Sequence, residues 1–170
     1  MNIKFKKYSK FIFINFKLTK YEFMNILKLK ELYKDSRAAS IEALKIVQKK
    51  RRWISEQAII AISKLLGVSI VDLEGVATFY NRIFRKPVGK NIINYCNSVV
   101  CFITGYKNIK NFIEKYLNIK SGQTSSDNNF TLLPCCCIGY CDKSPVIMIN
   151  KNIYKNVNCK MIPNILELYK

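Results

Sequence analysis

The sequence predicts a mixed α+β chain with two structured parts: a helical bundle over residues 31–88, then an α/β domain of β-α-β-β-α order over residues 89–170. Three observations carry this prediction. Apolar residues recur at helical spacing as far as Pro87 and Gly89, which break the chain. After Lys90 they fall in short runs parted by polar turns, with one helical stretch between the first two runs. All 7 cysteines lie in the second part, and two groups of them stand where a short apolar run ends.

Residues 1–30 are rich in Lys, Phe and Ile and contain no acid before Glu22. They read as a basic, poorly ordered extension that does no chemistry. A membrane-surface helix, an organelle transit sequence and a leader ahead of a start at Met24 are the other readings of this stretch.

Three helices follow. Asp35 or Ser36 caps the first, which runs to about Lys50 with Ala38, Ile41, Leu44 and Val47 broadly on one face. Trp53 lies in the connection and reads as a core plug. Ser55 caps the second helix, Ile59, Ile62 and Leu66 point inward, and Gly67 stops it. Ser69 with Asp72 opens the third, where Leu73, Val76, Ala77 and Tyr80 share a face.

In the second part, Ile92–Tyr95 is a short strand delivering Cys96, and the loop to Cys101 leads into a helix from about Gly105. After the polar loop 121–129, Phe130–Leu133 is a strand delivering the run Cys135-Cys136-Cys137-Ile138-Gly139-Tyr140-Cys141. Val146–Ile149 forms a third strand, turned by Asn150-Lys151-Asn152 into a fourth around Ile153-Tyr154. Asn158 caps a last helix. This is the order of a reduced thioredoxin-like domain.

The net charge of +18 has two readings: an Asn-, Lys- and Ile-rich composition, or an acidic partner such as nucleic acid. The lysines are spread along the chain, which favours composition. No stretch approaches the roughly 20 apolar residues of a membrane span. No secretory signal is recognisable, so a cytoplasmic location and reduced cysteines are expected. There is no histidine, hence no mixed Cys/His zinc site and no histidine base. Neither Gly-x-Gly-x-x-Gly after a strand nor Gly-x-x-x-x-Gly-Lys-Ser/Thr occurs, so the chain shows no nucleotide cradle.

The chemistry resides in the cysteines. Cys96-x4-Cys101 and Cys137-x3-Cys141 place two thiol pairs on two loops at strand ends. Four thiolates suit a [2Fe–2S] cluster or a tetrahedral zinc. The spacings of four and three favour the wider two-iron object over zinc, with free or redox-active thiols also open. Cys135 and Cys136 are possible alternatives to Cys137, but only Cys137 leaves Gly139 midway between ligands. Cys159 stands apart as a packing residue. Nearby lysines such as Lys143 would favour a reduced centre. A competing reading takes Ser55–Ile83 as a helix-turn-helix of an iron–sulfur DNA-binding regulator. Its recognition helix would begin Ile70-Val71-Asp72-Leu73-Glu74, apolar and acidic where base readers are polar or basic. A docking bundle is the better reading.

Several stretches occur in the same order in one known family: Arg37-Ala38-Ala39-Ser40-Ile41-Glu42-Ala43-Leu44, Glu74-Gly75-Val76-Ala77-Thr78-Phe79-Tyr80, Pro87-Val88-Gly89-Lys90, and the two cysteine loops ending at Pro145. From about Tyr33 to Lys170 the chain resembles the E subunits of NADH–quinone oxidoreductase, respiratory complex I. The resemblance implies a helical bundle followed by a thioredoxin-like [2Fe–2S] ferredoxin domain. It implies Cys96, Cys101, Cys137 and Cys141 as ligands of one [2Fe–2S] cluster, with no complete active site in this chain. It further implies a partner flavoprotein that binds FMN and NADH, and a place in the peripheral arm on the cytoplasmic side of the membrane. An equivalent component of an NAD-linked hydrogenase or formate dehydrogenase is the alternative. Residues 1–30 and Cys159 depart from the family pattern.

Overall fold

In a computed structural model of the chain, residues 16–170 are described. The chain divides into two compact units between Pro87 and Val88.

The first unit opens with helix α1, Lys20–Leu32. Thr19 and Glu22 close a reciprocal cap: the Thr19 amide donates to Glu22 Oε2 at 2.7 Å and the Glu22 amide donates to Thr19 Oγ1 at 3.3 Å. One turn on, Ile26 is fully buried. The expectation of a poorly ordered extension over residues 1–30 is therefore corrected for residues 20–30, which are part of a bundle helix; residues 1–15 lie outside the described residues. The physical reason is an ion pair that joins distant parts of the sequence. Arg51 donates from Nε to Glu22 Oε1 at 2.9 Å and from Nη2 to Glu22 Oε2 at 2.8 Å. The same guanidinium lies 4.2 Å from the centroid of the Phe16 ring.

Asp35 caps a short 3-10 turn, Ser36–Ala39, that leads into α2, Ser40–Arg51. The buried face of α2 is Ser40, Ala43, Leu44 and Val47. Ala38 is exposed and Ala39 takes its place, because the 3-10 turn shifts the register before the helix begins. Helix α3, Glu56–Leu66, starts at Ser55, whose hydroxyl accepts from the Ala58 amide at 3.2 Å, and ends at Gly67 with φ +77°. Helix α4, Ile70–Phe79, starts at Ser69, which accepts from the Asp72 amide at 3.0 Å. Leu73 and Ala77 of α4 are buried, whereas Tyr80 is exposed. The connection before α3 is plugged by Ile54, fully buried, and not by the half-buried Trp53.

The second unit is a four-stranded sheet of order β2-β1-β3-β4. Strand β1 is Asn91–Cys96, β2 is Phe130–Cys135, β3 is Ile147–Ile149 and β4 is Asn152–Tyr154. β1 runs parallel to β2, with Asn91 opposite Phe130 and Cys96 opposite Cys135. A parallel pair needs a crossover; here α5, Val99–Ile103, and α6, Tyr106–Leu117, provide it. β1 is antiparallel to β3, and β3 turns back into β4 through Asn150 at φ +55°. Helix α7, Ile162–Glu167, closes the chain. Asn158 holds the preceding turn, accepting from the Met161 amide at 3.1 Å. Ile93, Phe130, Leu132, Ile147 and Ile149 of the sheet bury against Ile113, Ile162 and Leu166 of the helices.

Gly89 fixes the start of the parallel pair. Its amide donates to Thr131 Oγ1 at 2.6 Å, and a Cβ there would meet Phe130 C at 2.8 Å and Phe130 N at 2.9 Å. Only glycine allows β1 and β2 to approach this closely at their origin.

The Glu22–Arg51 pair makes a stability prediction. Burial disfavours the Glu22 carboxylate, but the hydrogen bonds from Arg51 and Thr19 outweigh it and hold the group below the usual value. A depressed carboxylate contributes stability above its unfolded value of about 4.3 and loses it as pH falls through the folded value. Glu22→Gln, which weakens the hydrogen bonds to the partly exposed Arg51 guanidinium, is expected to cost about 2 kcal/mol at pH 7. Urea unfolding of the full chain should show this gap narrowing as pH is lowered through the acid range.

Candidate functional site

Both cysteine loops leave the carboxyl ends of two adjacent parallel strands, where open α/β sheets bind ligands. Cys96 ends β1 and is buried. Cys101, expected on a loop, instead lies on α5 and is also buried. From the end of β2 the chain runs through Cys135, half-buried, to Cys136, Cys137 and Cys141, all exposed. Among the described residues no disulfide links any of the cysteines. Val146 and Ile138 pack around Cys96 and Cys101.

The structure brings Cys96, Cys101, Cys137 and Cys141 together as two pairs. Cys137 Sγ lies 3.3 Å from Cys141 Sγ. Cys96 and Cys101 are buried in one cluster with Val146, and Ile138 of the second loop packs against it. Gly139 donates its amide to Cys137 Sγ at 3.4 Å. Its φ is +95°, a conformation that side chains disfavour, and no protein atom lies within 4 Å of where a Cβ would stand. Among the described residues no three thiol or carboxylate side chains gather around a point suited to a single metal ion. The Cys159 thiol contacts a different element, the Asn108 carbonyl of α6, at 3.8 Å.

Within each pair one thiol yields its proton before the other. Burial opposes the Cys96 thiolate, but the Ser98 hydroxyl and amide, the Cys101 thiol and the Ile138 amide outweigh it and lower the thiol below its ordinary value. Burial, foremost, pushes Cys101 up to about 11, and its bond to Cys96 adds to this against the Val146 amide. The Cys141 thiol and the Gly139 amide lower Cys137, and the same hydrogen bond to Cys137 raises Cys141.

Two partners of the site carry no signal in the sequence. Ser98 Oγ is 3.1 Å from Cys96 Sγ, yet by sequence it is simply a serine before a helix. The Lys155 ammonium sits 3.9 Å from the centroid of the Tyr140 ring, placing a positive charge beside the loop where the sequence points to Lys143. A lysine next to an aromatic strand end gives no local hint of this contact.

A β-α-α-β-β-β-α unit with cysteine-bearing segments leaving the carboxyl ends of its two parallel strands defines a thioredoxin-like domain of the ferredoxin class. The sequence matches the family described as thioredoxin-like [2Fe-2S] ferredoxin over residues 26–170. It is 59% identical over 159 residues to the NADH-quinone oxidoreductase E subunit of Buchnera aphidicola subsp. Acyrthosiphon pisum, covering 94% of this chain and 98% of that one. It is 57% identical over 141 residues to the protein of the same name from Salmonella typhimurium, covering 83% and 85%. A solved NAD+-reducing [NiFe]-hydrogenase in the H2-reduced state shares the fold, with TM-score 0.62 and 22% identity over 73% of this chain and 21% of that chain. The chain thus belongs to the thioredoxin-like [2Fe-2S] ferredoxin family, and within it to the E subunits of NADH-quinone oxidoreductases.

In metal-free protein, Cys137 is expected to react fastest with iodoacetamide among the four thiols, and Cys101 slowest, because the thiolate is the nucleophile. The Cys137 rate should also persist to lower pH than that of an ordinary thiol. Peptide mass mapping over a pH series reads both; equal rates at the two positions would contradict the geometry.

Proposed function

We propose that this chain is the electron-transfer E subunit of an NADH–quinone oxidoreductase, with Cys96, Cys101, Cys137 and Cys141 holding one [2Fe–2S] cluster. The pairing of the thiols carries the reading: two from β1 and α5, two from the loop after β2. The residues fit the group. Two thiol pairs match two irons, the Gly139 amide donates to the Cys137 sulfur, and Gly139 keeps one side clear of side chain. When bound, such a cluster stores one electron at a time.

The chain's own residues set the conditions for that storage. Loading must expel the protons that each thiol pair retains, since the metal ligand is the thiolate. The hydrogen-bond donors stabilise negative charge on sulfur, while burial at Cys96 and Cys101 opposes it. Cys137 and Cys141 stand on the exposed side, which is where an electron can pass to or from a partner. That partner is the flavoprotein that binds FMN and NADH, within the peripheral arm on the cytoplasmic side of the membrane. Among the described residues no helix is long and apolar enough to cross a membrane. The helical unit serves as a docking element: α4 exposes Val71 and Phe79, each at 80%. Apolar exposure of this kind fits a protein surface better than DNA.

Expressed without oxygen together with its neighbouring genes, the full chain should co-purify with a flavoprotein and be reddish-brown. Cys137→Ser or Cys141→Ser should remove the colour, whereas Cys136→Ser and Cys159→Ser should keep it. Loss of colour in Cys136→Ser would reassign the ligand. A chain that purifies without a flavoprotein would overturn the placement in the complex.

A further inference from the structure

Among the described residues, three serines stand immediately before α-helices. Ser55 and Ser69 cap them, their hydroxyls accepting from Ala58 and Asp72 amides at 3.2 and 3.0 Å. Ser98 has the extended backbone of a cap residue, φ −72° and ψ 168°, but its side chain makes no cap hydrogen bond to α5. Its carbonyl begins the helix, accepting from the Phe102 amide at 2.8 Å. The hydroxyl turns the other way, to within 3.1 Å of Cys96 Sγ.

The forfeited cap is informative. A serine hydroxyl at a helix start ordinarily satisfies a backbone amide. Here the hydroxyl lies instead within hydrogen-bond reach of the Cys96 sulfur, and a thiolate there would be a strong acceptor. A neutral hydroxyl supplies one donor to that thiolate without adding a charge that burial would penalise.

We propose that Ser98 is a positioning residue of the centre, whose hydroxyl donates to the sulfur of Cys96 and thereby raises the reduction potential of the cluster. The inference rests on the assignment of the four thiols as cluster ligands. Its physical basis is that reduction adds negative charge to the centre, and a donor to the ligand sulfurs stabilises that charge more in the reduced form than in the oxidised one. Removing the donor should therefore disfavour reduction, and a side chain that keeps the hydroxyl should restore it.

The test compares wild type, Ser98→Ala and Ser98→Thr as full chains purified without oxygen, with iron and sulfide content measured first. In Ser98→Ala the one-electron reduction equilibrium should shift about tenfold toward the oxidised form, a midpoint about 59 mV more negative. Ser98→Thr should return most of the shift. Resonance Raman bands of the Fe–S(Cys) stretches should move in deuterated solvent for wild type and move less for Ser98→Ala. A loaded Ser98→Ala protein with unchanged midpoint would overturn the inference and leave the ligand assignment standing. Wild type without iron would overturn the ligand assignment itself, and this inference with it. If Ser98→Ala fails to retain iron, the wild-type deuterium shift and the Ser98→Thr midpoint decide: a shift with a near-wild-type midpoint supports the donor role, and absence of the shift refutes it.

Discussion

Strand β1 lies parallel to β2 with Cys96 opposite Cys135, and that register decides where every thiol of the site can be. Because the two strands share a direction, the loops leaving their carboxyl ends are neighbours by construction. An antiparallel pairing would send them to opposite ends of the sheet. The register begins at Gly89, where a Cβ would collide with the Phe130 backbone. It is held along its length by Ile93 and Leu132, both fully buried. A slip of one residue would turn these side chains to the other face and carry Cys96 away from the second loop.

From that register follows an uneven environment. Cys96 and Cys101 are buried under Val146 and Ile138, while Cys137 and Cys141 face outward on a loop that depends on Gly139. Burial alone would make four thiolates costly. The Gly139 amide donates to the Cys137 sulfur and the Ser98 hydroxyl lies 3.1 Å from the Cys96 sulfur, so polar partners come from both loops. Lys155 above Tyr140 adds a positive charge beside the second loop. The four thiols are thus sheltered on one side and exposed on the other.

Local signals in the sequence are legible where local physics decides the outcome. Ser55, Gly67 and Ser69 bound their helices because caps and left-handed glycines act within one turn. Asn128 and Asn150 adopt φ +55°, as turn asparagines can. The cysteine spacing marks the two segments that leave the carboxyl ends of β1 and β2. What escapes is set by distance along the chain. Helix α1 reads as part of a basic extension; its Thr19–Glu22 cap is local, but its packing rests on Arg51, 29 residues away. That pair turns a basic segment into part of a core. Cys101 reads as a loop residue because α5 is only 5 residues long, too short for apolar periodicity to show. Ser98 looks like a cap because its sequence position is that of a cap; its hydroxyl turns back to the Cys96 sulfur two residues earlier, a choice that residue type alone does not reveal.

The central claim is that the four thiols hold two irons as a single one-electron centre. Mössbauer and EPR spectroscopy of anaerobically purified full chain, combined with iron and sulfide analysis, test it directly. The expected result is about two irons and two acid-labile sulfides per chain, diamagnetic when oxidised and giving one unpaired spin per cluster on reduction. A colourless protein carrying one zinc and no sulfide would contradict it.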